Sequence, residues 1–416
     1  MTDLARRLGL GDAVAIGLGS MVGAGVFAVF APAAEAAGSA LLISLAIAAI
    51  AAFANATSSA QLAAAHPVSG GSYAYGRAEL NDWWGFLAGW SFLIGKTASC
   101  AAMALTFGAY AWPGAERPLA IAAVAALCAI NLAGVTRTAL ATKIIVALVL
   151  VVLAVVVAAG AVAASQGGAR AEALVPAGPA ASGWFGVLQA AGLLFFAFAG
   201  YARIATMGEE VSDPRRTIGR AIVIALSCAV AIYAVLAVIV LLVLGPDRAA
   251  ASDAPLADVV AAAGWDWAGP VVRAGAALAS LGALLALFAG IGRTALAMAR
   301  EGDLPRALAS VSRGTRVPYR AEIAVALVVI ALVATVDLRG AIGFSSFGVL
   351  LYYLVANLSA LRQPGEARRY PRWLQVAGAA LCVVLVAALP WQSIAGGAVV
   401  VAIGLTYRLI RLRIAR

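Results

Sequence analysis

The sequence predicts an all-α integral membrane protein with twelve transmembrane helices. Three observations lead to that class. Of 416 residues, 64% are hydrophobic and only 12% are charged, whereas a soluble domain runs nearer half apolar. The apolar residues come in blocks of roughly 20, the length that crosses a hydrocarbon core of about 30 Å. Most blocks lack the polar face that a soluble helix turns to water. Finally, the basic residues sort onto alternate loops.

The predicted spans are 12–36, 39–65, 83–111, 118–135, 140–164, 184–206, 217–244, 267–299, 321–337, 340–361, 372–389 and 391–410. Polar, Pro- or Arg-containing stretches separate most of them. One set of alternate loops holds 22 Lys and Arg. The other holds five (Arg117, Arg170, Arg248, Arg273 and Arg339), and Lys96 and Arg203 within spans complete the 29. Basic residues stay on the cytoplasmic side of a membrane, so both termini are expected in the cytoplasm. One missed span would scramble this alternation. The expected location is the cell (inner) membrane, multi-pass.

Several other readings fall away. The net charge of +10 would suit nucleic acid, but its distribution over short loops between spans argues against it. Arg6 and Arg7 before an apolar run resemble a signal peptide. The run is long and glycine-rich, and the chain stays apolar to its end, so cleavage is not expected. Cys100, Cys128, Cys228 and Cys382 all lie in apolar spans without CxxC or Cys/His spacing. They read as small buried hydrophobes rather than metal ligands. His66 is the only histidine and sits beside Pro67 at a span end, where a loop role is expected. No cofactor is implied.

Two spans look interrupted. The first contains Gly17, Gly19, Gly23 and Gly25 within nine residues, each costing about 1 kcal/mol relative to Ala in a continuous helix. These glycines either let a neighbouring helix approach closely or mark an unwound point that exposes backbone amides to a ligand. The sixth span, through Phe196, Ala197, Ala199 and Gly200, favours the second reading. It carries a glycine near its middle and opens a second five-span half, and paired interruptions of this kind point to a transporter site. Unwound backbone is tolerated in a membrane only where it lines a cavity. A half-helix N-terminus suits a carboxylate, and freed carbonyls suit an ammonium, so a zwitterionic amino acid fits both.

These segments resemble the amino acid–polyamine–organocation (APC) superfamily, the amino-acid permeases with the LeuT-like fold. The resemblance rests on four motifs in order. They are Gly19-Ser20-Met21-Val22-Gly23-Ala24-Gly25-Val26-Phe27; Pro67-Val68-Ser69-Gly70-Gly71-Ser72-Tyr73 followed by Trp84-Gly85-Phe86-Leu87-Ala88-Gly89-Trp90; Ala205-Thr206-Met207-Gly208-Glu209-Glu210-Val211 with Pro214; and Arg293 with Met298-Ala299-Arg300-Glu301-Gly302-Asp303-Leu304-Pro305.

It implies one transporter domain over 1–416. Inverted repeats would cover 1–165 and 184–361, helices 1 and 6 would be discontinuous, and 372–410 would form two peripheral helices. It further implies that the substrate carboxylate meets amides around Met21, Gly23, Ala24 and Gly25. The amine would meet carbonyls around Phe196, Ala197, Ala199 and Gly200, with Phe196 as an aromatic gate. Glu209 and Glu210 would join a structural or gating ion-pair network near Arg215 and Arg216.

Three positions depart from the family pattern. Val149 stands where many members carry a span-five lysine, Ala202 stands for an acid after the sixth-span break, and Gln61 replaces a frequent second-span Glu.

Lys96 and Arg203 are the intramembrane charges. Even modest scales assign about 3 kcal/mol to such a group, which makes each a functional candidate. Lys96 either takes a coupling proton or fills a cation position; a carbonyl-bonded structural lysine is the simpler alternative. Arg203 reads as a structural pair with Glu209 or Glu210, or as a contact for an acidic substrate. The polar run Asn55 to Gln61 is expected to pack against neighbouring helices.

The expected function is secondary transport of an amino acid or related amine by alternating access, coupled to protons or run as exchange. The alternative is a membrane-embedded sensor or a channel-like protein without coupled transport. No Walker A motif supports a primary pump, no repeated ring of polar groups supports a channel, and no nucleophile–base or metal constellation supports an enzyme.

Overall fold

The computed structural model describes residues 8–66, 70–134, 139–175, 183–207, 210–312 and 314–414. Helices fall on every predicted span. The first is split into α1 (Leu10–Met21), α2 (Ala24–Ala28) and α3 (Phe30–Ala37), and α4 (Leu41–Ala65) is the second. A short α5 (Ser72–Glu79) leads to α6 (Asp82–Ala111), α7 (Glu116–Leu132) and α8 (Ala139–Ala163). The sixth span comprises α9 (Gly183–Phe198), a 3-10 turn (Ala199–Tyr201) and α10 (Ala202–Ala205). Then come α11 (Pro214–Ala250), the short α12 (Pro255–Ala262), α13 (Ala268–Arg300), α14 (Tyr319–Thr335), α15 (Leu338–Arg362), α16 (Arg372–Ala388) and α17 (Trp391–Ile414).

Among the described residues nine stretches are long and apolar enough to cross a membrane. The three other predicted spans fall on α7, α14 and α16, each of 17 residues. The edges that moved have local causes. The seventh span runs past 244 because Pro246 follows Gly245, whose φ of 72° kinks the helix rather than ending it. The starts of α6 and α15 are fixed by caps. Asn81 accepts from the amides of Trp83 and Trp84, and Asp337 from that of Gly340, which satisfies donors that a helix start leaves free. Among the described residues the only β-pairing is an isolated parallel bridge, Leu8 with Val211.

The outer surface is apolar, as lipid requires. Leu140, Ile144, Leu148 and Val151 on α8 are exposed, as are Ile403 and Ile410 on α17. Trp112, Trp184, Trp267 and Trp391 are exposed at helix ends, the depth at which tryptophan anchors to the interface. The protein is a multi-pass membrane protein.

The helices pack in two groups. In one, α1 packs on α11, α3 on α9, and α4 on both α9 and α11. In the other, α6 packs on α7, α13, α14 and α15, and α13 on α7, α8 and α14. Small residues line these contacts: Gly95 of α6 sits against the backbone of Val349 and Ser345 on α15.

The polar run of the second span is buried and faces α15 and α16. Asn357 Nδ2 donates to Asn55 Oδ1 at 2.6 Å, Ser58 Oγ donates to Asn357 Oδ1 at 2.6 Å, and the Cys382 thiol donates to Asn55. Three cysteines are buried as expected. Cys228 is exposed instead, because it lies on the outward stripe of α11 with Val223, Ile224 and Val235.

Candidate functional site

The first interruption is a true break. Helix α1 ends at Met21, Val22 closes it with its N–H on the Leu18 carbonyl, and Gly23 turns to ψ −128° before α2 begins. No side chain caps the start of α2. The first amides of a helix have no partner within it, and this start lies deep in the protein, with Met21, Gly23, Ala24 and Gly25 all buried. Val29 stays in the helical region, so α2 runs on into α3 with only a bend.

The sixth span is interrupted differently from the expectation. The chain at Ala199–Tyr201 tightens into a 3-10 turn rather than unwinding. A 3-10 turn bonds i to i+3, and the change of register frees carbonyls near its ends. Side chains have taken them. The Ala199 carbonyl accepts from Lys96 Nζ at 3.3 Å and from the Tyr353 hydroxyl at 3.3 Å. The Tyr233 hydroxyl lies 2.7 Å from the Met21 carbonyl and 3.1 Å from the Ala197 carbonyl. Its single hydrogen is shared between the two broken spans, favouring Met21 by distance.

The two interruptions touch. A Cβ on Gly25 would lie 2.8 Å from the Ala197 Cα. One on Gly200 would fall on the Ser20 carbonyl and 2.7 Å from the Met21 amide nitrogen. The first-span glycines thus serve a break and a close approach: Gly23 sits where the helix is interrupted, and Gly25 lets the spans meet backbone to backbone. Gly23 itself faces Ala279 and Ala283 of α13. Phe196, Ala197 and Ala199 are buried, and Gly200 is partly exposed.

Lys96, on α6, is only 8% exposed. Among the described residues no carboxylate pairs with it, and its one hydrogen bond is to Ala199. Arg203 reaches Glu210 at 3.8 Å. Glu210 thus pairs with Arg203 and not with Arg215 or Arg216, because α10 ends at Ala205 and the chain turns back on itself at Met207. Glu209 lies outside the described residues, as do Gly208 and the Pro67–Ser69 part of its motif. Lys143 forms an ion pair with Asp12 of α1 at 2.5 Å.

Both ends of the bundle carry contacts across the spans that sequence reasoning missed. At one end Arg339, at the start of α15, pairs with Glu35 of α3 and donates to Gln189 of α9 at 3.0 Å. At the other, the Leu8 amide donates to the Glu210 carbonyl at 3.1 Å and the Ser212 amide donates to the Leu8 carbonyl at 3.0 Å. Nearby, Asp303 is buried between Arg408 of α17 and Arg77 of α5. The Tyr73 hydroxyl donates to it at 2.9 Å. Burial, reinforced by the Asp303 carboxylate, pushes the Tyr73 hydroxyl well above its ordinary pKa, so it remains a donor. Arg408 also stacks over Trp83 and Phe86. Helix α17 is therefore exposed along most of its length yet anchored by one buried arginine. The five arginines of the sparse loops did mark out Arg339, but partners some 304 and 105 positions away leave no local signal.

Comparison with known proteins points one way. The family model described as Amino acid permease matches residues 8–410. An uncharacterized transporter of Mycobacterium tuberculosis is 57% identical over 402 residues, covering 97% of this chain and 90% of that protein. Cationic amino acid transporter 4 of Homo sapiens is 30% identical over 390 residues, covering 86% of this chain and 60% of that protein. The branched-chain amino acid permease BcaP of Bacillus subtilis is 26% identical over 435 residues, covering 97% and 92%.

Proposed function

This chain belongs to the amino acid permease family, and from that premise we propose that it is a secondary transporter carrying an amino acid across the cell membrane by alternating access. The observation that carries the reading is the apposition of an uncapped helix start at Gly23–Gly25 with the carbonyls of Ala197 and Ala199. Amides and a positive dipole end suit a carboxylate, and carbonyls suit an ammonium. Both halves of a zwitterion are met by backbone alone, so no charged side chain has to be buried for it.

The LeuT-like 5+5 repeat is the arrangement that best accounts for the packing. Counting spans in order, contacts recur under a shift of five. Span 1 on 7 is matched by 6 on 2, 3 on 10 by 8 on 5, 3 on 4 by 8 on 9, and 3 on 9 by 8 on 4. A chance bundle has no reason to pair its helices this way. The termini then lie in the cytoplasm, as the basic loops require. Leu8, Glu210 and Asp303 mark the cytoplasmic end, and Glu35 and Arg339 the outer one.

With contacts across the spans at both ends and the interruptions buried, the conformation is that of an occluded carrier. Substrate reaches Ala197 and Ala199 by displacing the donors that now hold them. Lys96 fills a cation position on the sixth span, which substitutes for the span-five lysine that Val149 replaces. Proton symport and exchange both remain compatible with this arrangement.

The test is a thermal-shift screen of the purified protein against amino acids and polyamines, followed by counterflow in proteoliposomes with the hits. A ligand that binds the folded state raises its stability by RT ln(1 + [L]/Kd). Stabilisation and counterflow by one chemical class of amino acid are expected. Counterflow by none of them overturns the reading.

A further inference from the structure

Away from the interruptions, the face of α11 holds two cavities in line. The first is a cleft of about 690 Å³ at the helix start, lined by Arg215, Arg216, Arg220 and Arg369 with Tyr370, and floored by Val223 and Ile224. The second is an apolar groove of about 250 Å³ between α4 and α11, lined by Phe53, Leu226, Val230 and Ala231 among others. Positions 220, 223, 224, 227, 230 and 231 follow helical spacing, so one stripe of α11 runs from the arginines into the groove. At 1.5 Å per residue, Arg220 and Ala231 are about 16 Å apart along the axis.

The cleft is a built one. Buried Gln61 of α4 accepts the backbone amides of Arg369 and Tyr370 at 3.1 and 3.2 Å, and its own amide donates to Gln363 and Ala360. Arg369 then donates to the Arg215 carbonyl at 2.6 Å, which closes the loop over the helix start. The amide at Gln61 holds this loop without adding a negative charge beneath it. Among the described residues the only carboxylate contact of the four arginines is Arg216 to Asp213, at 4.0 Å. Glu366 of the same loop pairs with none of them. Four guanidiniums with almost no counter-charge make a site for a phosphate, which arginine grips in bidentate fashion.

We propose that this face of α11 binds an anionic phospholipid, with its phosphate among Arg215, Arg220 and Arg369 and an acyl chain along Val223, Ile224 and the groove beyond. The continuity of the charged cleft with a membrane-facing apolar groove selects a lipid over a soluble phosphate. Basic pockets between spans at a negatively charged leaflet take lipid headgroups for the same reason. Because α11 packs on α1, α3 and α4, the lipid would brace the group of helices that carries both interruptions.

Native mass spectrometry of the full chain, released from micelles doped with phosphatidylglycerol or phosphatidylcholine, tests this. Wild type should retain phosphatidylglycerol preferentially. Each arginine near a charged lipid surface contributes about fivefold in affinity, so R215Q/R220Q/R369Q should weaken retention on the order of a hundredfold. Ala231→Trp, which fills the groove from its lipid side, should weaken retention of the diacyl lipid with the four arginines intact. Melting of each variant in lipid-free detergent is the folding control. If the triple variant does not fold, a photoactivatable phosphatidylglycerol on wild type must label the segments 215–231 and 369–370. Equal retention of both lipids by wild type, equal retention by folded variant and wild type, displacement by millimolar inorganic phosphate, or labelling elsewhere would each overturn the proposal.

Discussion

Lys96 on α6 and Ala199 at the interruption of the sixth span, 103 positions apart, are joined by a 3.3 Å hydrogen bond from ammonium to carbonyl. Burying a lysine in a membrane costs about 3 kcal/mol on insertion scales, and one charge-assisted bond returns about 1.5–3 kcal/mol. The two nearly cancel, so the bond is not there for stability. Lys96→Met should leave the melting temperature close to wild type and lower counterflow at least about tenfold. Lys96→Arg should retain part of the activity. Unchanged uptake and unchanged pH dependence in both variants would remove Lys96 from the mechanism.

Gly25 is predicted to be intolerant of even one methyl group. Its Cβ would meet the Ala197 Cα at 2.8 Å, and backbone atoms cannot rotate away. Overpacking of this sort costs about 1–3 kcal/mol, so Gly25→Ala should lower thermal stability and abolish transport. Gly11, on the same span, has nothing within 4 Å of its Cβ, and Gly11→Ala should be neutral or slightly stabilising. Equal behaviour of the two substitutions would refute the close contact of the spans.

Arg339 joins α3, α9 and α15 at one end of the bundle. Arg339→Gln should loosen that end without unfolding the bundle. Hydrogen–deuterium exchange should rise selectively in 30–37 and 338–345. Protection unchanged there, or lost throughout the chain, would refute a gating contact.

Asp303 offers a thermodynamic test. Removing one partner of a buried pair leaves an uncompensated charge and costs about 3–5 kcal/mol. Asp303→Asn alone, which leaves the buried Arg408 without its carboxylate, should therefore be strongly destabilising, while Arg408→Met added to it should recover much of the loss. A double-mutant cycle on melting temperatures measures the coupling, and additive effects would show that the pair carries none.

Much of the fold was legible because a bilayer leaves few choices. Segment length, apolar composition and the sorting of arginines are imposed by the solvent, so even α7, α14 and α16 were placed from sequence. The first interruption was legible because glycine is costly in a helix and four lie together. The sixth was legible in place but not in form. Whether Gly200 unwinds or tightens depends on who takes the freed carbonyls, and those donors come from α6, α11 and α15. Lys96 announced itself as a charge in an apolar run. Tyr233 and Tyr353 did not, since a tyrosine in such a run looks like any core residue until its hydroxyl finds a carbonyl. Glu35 with Arg339 and Asp303 with Arg408 are products of folding alone.

The pairing of Leu8 with the segment Glu210–Ser212 has a mechanical consequence. It ties the lead-in to the first span and the exit from the sixth by two backbone hydrogen bonds, which substitutions other than proline leave in place. A displacement of either segment is therefore passed to the other through the backbone itself.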